Sequence, residues 1–99
     1  MLIQADQSLL LVVDVQARLL PAMADPDGAV AGCTKLLKAA SRLGVPVLAS
    51  EQYPKGLGPT VPELAALVPD GATLTKMTFS CADEPAIVAR IAAGGRRTL

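Results

Sequence analysis

A chain of 99 residues is long enough for one small domain and too short for two. Hydrophobic residues make up 52 %, yet Tyr53 and Phe79 are the only large aromatics, so the core has to be built from Leu, Val, Ile and Ala. Nine basic and nine acidic residues cancel, which leaves no electrostatic footprint for nucleic acid or for an anionic membrane. The first predicted element is Ser8 to Val15, SLLLVVDV, a short apolar run of the kind that forms a strand buried on both faces. Pro21 and the turn-like Asp25-Pro26-Asp27-Gly28 follow. A helix is predicted from about Asp27, its N-cap, to Leu43. Val30, Cys33, Leu37 and Ala40 fall at helical spacing on it. Gly44 and Pro46 stop it.

Val45 to Ser50, VPVLAS, reads as a second strand. Pro54, Gly56, Gly58 and Pro59 mark a loop, read as flexible cover over a site, and a short helix is predicted around Val61 to Leu67. Thr73 to Lys76 is the third strand. Asp83 is the predicted cap of a helix from Glu84 to Ala93, ended by Gly94-Gly95. Arg96 to Leu99 reads as the opening of a fourth strand. Strand, helix, strand, helix is the signature of an α/β fold: a three-layer α/β/α arrangement on a parallel, doubly wound, Rossmann-like sheet, here of about three to four strands. So short a sheet leaves apolar edges uncovered, and residues 1–99 are read as the N-terminal part of a single domain, completed by self-association or by a C-terminal segment.

No apolar stretch approaches the roughly 18 residues of a membrane-spanning helix. MLIQADQ lacks the basic and apolar regions of a signal peptide. Two cysteines do not make a disulfide framework. A reduced, cytoplasmic protein is the expectation. The chain has no histidine, which removes the commonest general base and metal ligand and excludes Ser-His-Asp or Cys-His chemistry within these residues. No metal site and no cofactor are expected.

In an open parallel sheet, ligands bind beyond the carboxyl ends of the strands. Strand one ends in Asp14, Val15 and Gln16, strand two in Ser50, Glu51 and Gln52, strand three in Thr75 and Lys76. Asp14 interrupts an apolar run, where a lone carboxylate is costly to bury, so it needs a partner. Lys76 on the third strand end can supply one and can orient or activate a nucleophile.

LVVDVQ (Leu11 to Gln16), GVPVLASEQYPKGLGPT (Gly44 to Thr60) and LTKMTFSC (Leu74 to Cys81), in this order and each at a strand end, resemble the isochorismatase-like superfamily of cysteine hydrolases. Glu51-Gln52 followed by Pro54, Lys55 and Gly56 is similar to a bacterial branch of it. The resemblance implies an Asp-Lys-Cys triad acting on a small-molecule substrate, typically an amide. Asp14 takes the place of the general base and Lys76 that of the lysine that stabilises the thiolate and the developing charge. Gln52, by the same resemblance, and Gln16 are the candidate substrate-binding residues. The family's cysteine belongs at the start of a helix after the next strand, where a helix N-terminus favours the thiolate. It maps onto no residue of 1–99.

Cys33 lies on the apolar face of the first helix and reads as core. Cys81, close after Lys76 and before a helix, is a weaker substitute nucleophile in the wrong family position. Gly56-Leu57-Gly58 lacks the strand-to-helix context of a phosphate loop. Two other readings compete with the hydrolase: an inactive fragment or interaction module on the same fold, and a response-regulator receiver. A receiver wants an acidic pair after its first strand, where only Asp14 stands, and a phospho-accepting Asp after its third.

Overall fold

The computed structural model describes residues 2–99. Its elements run β1 (Leu10–Val13), α1 (Pro26–Leu43), β2 (Val47–Gln52), α2 (Pro54–Leu57), α3 (Pro62–Ala65), β3 (Thr73–Lys76) and α4 (Pro85–Ala93). The strands form one parallel sheet in the order β1-β2-β3. Register sets Val13 beside Ser50, Glu51 beside Thr75 and Gln52 beside Lys76.

Side-chain alternation along the strands makes two apolar faces. Val12 and Ala49 pack with Leu37 of α1 and Leu64 of α3 on one face. Leu9, Leu48 and Ala72 pack with Ile91 of α4 on the other. Helices therefore cover both sides of the sheet, the three-layer α/β arrangement expected from the continuous apolar strands.

The N-cap of α1 lies two residues earlier than predicted. Asp25, in place of Asp27, is the N-cap, and its Oδ1 accepts the Gly28 N–H at 3.0 Å. Pro26 fits the first helical position because its missing N–H would have had no helical partner there. A Cβ on Gly28 would overlap the Asp25 carboxylate. Gly44 closes the helix in the left-handed conformation, φ 70°. Leu37 and Ala40 are buried on its inner face, and Cys33 packs against the same core.

Strand β2 lies two residues later than predicted. Pro46 has no N–H to give but accepts one at its carbonyl from Leu10 N at 2.9 Å. Glu51 and Gln52 join the strand because β3 pairs with them. The Gly-rich loop holds the helical turn α2, and the helix predicted over 61–67 contracts to α3. β3 has its predicted bounds. Asp83 caps no α-helix: it ends a 3-10 turn capped by Ser80, whose Oγ accepts Ala82 N–H at 3.1 Å, and Glu84 precedes α4.

The predicted fourth strand is a single parallel bridge between Ser8 and Thr98. Leu9 N donates to Thr98 O at 2.8 Å, and Thr98 N donates to Gln7 O at 2.9 Å. Successive N–H groups of a strand point to opposite edges, so Thr98 lies on the side of β1 away from β2.

Candidate active site

β1 stops at Val13 because Asp14 turns the chain with a left-handed backbone, φ 53°. Aspartate is one of the few side chains that visit this region, at a cost of about 1–2 kcal/mol. Its N–H still donates to Ser50 O at 3.1 Å. The corner directs the carboxylate across the end of β2. Ser50 Oγ donates to Oδ1 at 2.7 Å, and Lys76 Nζ donates to Oδ2 at 2.8 Å.

Lys76 is the last residue of β3, and its side chain is fully buried, whereas the Asp14 side chain is 14 % exposed. The ammonium donates to Asp14 Oδ2, to Phe79 O at 2.8 Å and to Thr78 O at 3.1 Å, with Gln52 Oε1 at 3.4 Å. An ammonium has three N–H donors, so three close acceptors use all of them. The buried charge is thereby paired and solvated by the protein. The chain after β3 curls around it through the carbonyls of Thr78 and Phe79.

Gln16 and Gln52 meet at the same edge in different ways. Gln16 is completely buried. Its Nε2 donates to Gln52 O at 2.9 Å and Gly58 O at 2.7 Å, and its Oε1 accepts Gln52 N–H at 2.8 Å. Both donors and the acceptor are engaged with backbone, which ties the end of β2 to the loop after it. Gln52 keeps its side-chain amide beside Lys76.

That loop is anchored at further points. Arg18 Nη1 donates to Gly56 O at 2.8 Å, and Glu51 Oε2 accepts from Thr60 N at 2.6 Å and Thr60 Oγ1 at 2.8 Å. Tyr53 has φ 39° and donates its N–H to Lys76 O at 3.0 Å, its ring lying where a Cβ on Gly56 would be. Among the described residues, Asp14 and Tyr53 are the non-glycine residues with positive φ, and both sit at this edge. Such strain persists only where surrounding structure holds it in place.

The isochorismatase domain profile matches residues 8–99. The chain belongs to the isochorismatase family. Isochorismatase domain-containing protein 2A of Mus musculus is 46 % identical over 61 residues, which cover 62 % of this chain and 30 % of that protein. Isochorismatase domain-containing protein 2 of Danio rerio is 43 % identical over 79 residues, 78 % of this chain and 38 % of that protein. The chain thus spans about a third of the length of these relatives. Both are vertebrate proteins.

Two solved structures share the fold. The MAR1 ribonuclease of Caenorhabditis elegans superposes with a TM-score of 0.82 at 29 % identity, over 93 % of this chain and 48 % of that one. The YcaC gene product of Escherichia coli, described as an octameric hydrolase of unknown specificity, superposes with a TM-score of 0.84 at 26 % identity, over 95 % and 48 %.

Asp14, Lys76, Gln16 and Gln52, expected together from their strand-end positions, all lie at this edge. Three features there are not expected from the strand ends: the Ser50 contact, the carbonyls of Thr78 and Phe79, and the Glu51–Thr60 anchor. A hydroxyl residue two positions short of the strand end, in register with the residue before the acid, is the signal that points to the first. Cys33 and Cys81 are free and partly buried.

Proposed function

We propose that residues 1–99 are the N-terminal part of one isochorismatase-family hydrolase domain that cleaves the C–N bond of a small amide. The observation that carries this reading is the Asp14–Lys76 pair, 2.8 Å apart at the carboxyl edge of the sheet and sealed on its lysine side. In this reading Asp14 takes the proton of a thiol, and the thiolate attacks the amide carbonyl. The C–N bond then breaks, and the proton passes from Asp14 to the departing nitrogen. Water, deprotonated in turn by Asp14, hydrolyses the thioester and returns the thiol.

Lys76 acts through its charge, since its N–H groups are committed to Asp14 and to the Thr78 and Phe79 carbonyls. Gln52, whose amide flanks the pair, contacts the substrate. Gln16 serves the substrate site from behind, by fixing Gln52 and Gly58. No cofactor or metal enters the scheme. The thiol is supplied by polypeptide that completes the domain beyond these residues, in keeping with the greater length of the relatives.

An octameric hydrolase among the structural neighbours supports both hydrolysis and self-association. The neighbour described as a ribonuclease raises RNA as a substrate. Against it stands the balanced charge of nine basic and nine acidic residues, which favours a small neutral amide over a polyanion. A reduced, cytoplasmic setting belongs to the same proposal, because a nucleophilic thiol has to stay unoxidised.

The test is turnover by the natural gene product carrying this chain, on an amide panel and on RNA, with Asp14→Ala and Lys76→Ala as controls and circular dichroism to verify folding. Each substitution is expected to lower amide turnover by about 10²–10⁴-fold. Undiminished turnover in both would overturn the mechanism. Cleavage of RNA without amide turnover would replace the substrate class, and inactivity on everything would favour the interaction module.

A further inference from the structure

We propose that Ser50 is a positioning residue for the Asp14 carboxylate, fixing which lone pair of the base faces the reacting proton. The inference rests on the hydrolase reading above and deepens it. Ser50 is 1 % exposed. A buried hydroxyl without a partner is costly, and the side-chain partner it has among the described residues is Asp14 Oδ1, at 2.7 Å. The carbonyl of the same serine accepts the Asp14 N–H at 3.1 Å. One residue of β2 therefore holds the aspartate at both its backbone and its side chain.

The carboxylate plane explains why two grips are needed. The terminal torsion of an aspartate is broad, so a single contact on one oxygen leaves the plane free to turn. Lys76 holds Oδ2 alone. Ser50 on Oδ1 adds the second point and stops the rotation. A carboxylate has about four acceptor sites. With one taken on each oxygen, lone pairs remain for a proton arriving through the 14 % of the side chain that is open. The donor is neutral, so it orients the base without cancelling its charge, as a second ammonium would.

Packing and donation are separable at this position, because threonine and valine have the same shape and only threonine carries the hydroxyl. In the natural gene product, Ser50→Ala and Ser50→Val are expected to lower kcat by about tenfold to a hundredfold, the range for loss of a hydrogen bond to a charged group, with KM within about twofold. Ser50→Thr should exceed Ser50→Val in kcat by about tenfold or more. Equal kcat for the Thr and Val variants would overturn the proposal, as would a loss confined to KM. Asp14→Asn separates the two readings. If Asp14→Asn abolishes turnover while Ser50→Ala and Ser50→Val keep parental kcat, the Ser50 role falls and the hydrolase reading stands. If Asp14→Asn keeps full turnover, or the parent turns over no amide, the hydrolase reading falls and the Ser50 role with it.

Discussion

The carboxyl edge of the sheet and the outer side of β1 are built on opposite principles. At the carboxyl edge, Asp14, Gln16, Ser50 and Lys76 are held by directional bonds, and among the described residues no buried side-chain polar atom lacks a partner. On the outer side of β1, beyond the bridge to Thr98, no strand of the described residues pairs with it. That flank opens on an apolar groove of about 420 Å³ whose lining includes Ile3, Leu10, Leu36, Leu43, Val45 and Leu99. Ile3, Leu36, Leu43 and Leu99 are exposed. The difference teaches where this chain is sensitive. A polar edge satisfied bond by bond cannot lose one member without stranding another, while an exposed apolar flank loses little from any single change.

The largest expected effect that would break this contrast is at Lys76. Lys76→Ala should cost about 3–5 kcal/mol in urea unfolding, because Asp14 is left as a poorly compensated charge. The double change Asp14→Asn with Lys76→Met should recover part of that loss, since a neutral pair of similar volume avoids desolvating two ions while asparagine tolerates the left-handed turn and keeps an acceptor for Ser50. A single-variant cost below about 1 kcal/mol would place the pair in the class of weak surface bridges. Next comes Gln16→Ala, which strands the Gln52 N–H and two carbonyls and should cost about 1–3 kcal/mol. The smallest effect is expected at Leu43→Lys, within about 0.5 kcal/mol of the parent. Sedimentation run on the same variant would sharpen the contrast. A cost above about 1 kcal/mol with a fall in molecular mass would mean that the flank is covered by self-association in solution.

Legibility in the sequence follows the range of the forces involved. The apolar runs around Val12 and Leu48 announce strands buried on both faces, and Gly44 announces the end of α1, because these are local signals. Asp14 and Lys76 are readable as partners because polar residues ending apolar strands have one edge at which to meet. The grip of Ser50 on the acid depends on the register that sets Val13 beside Ser50, which is decided by three strands pairing together. Gln16 shows the same limit. Its letter and position suit a substrate contact, yet the corner at Asp14 carries it inward, where backbone uses its whole amide. The corner itself is invisible in the letters, because no glycine marks its positive φ.

That corner has an evolutionary consequence. At most turns of this kind a glycine would relax the backbone, and selection for stability could drift toward it. At position 14 the strained backbone and the carboxylate that pairs with Lys76 belong to the same residue. A glycine there would remove the strain, the ion partner of Lys76 and the acceptor for Ser50 in one step, and asparagine would keep the turn while losing the negative charge. The roughly 1–2 kcal/mol of strain that glycine would relieve is smaller than the roughly 3–5 kcal/mol lost when buried Lys76 is left unpaired, so stability itself holds the strained residue in place.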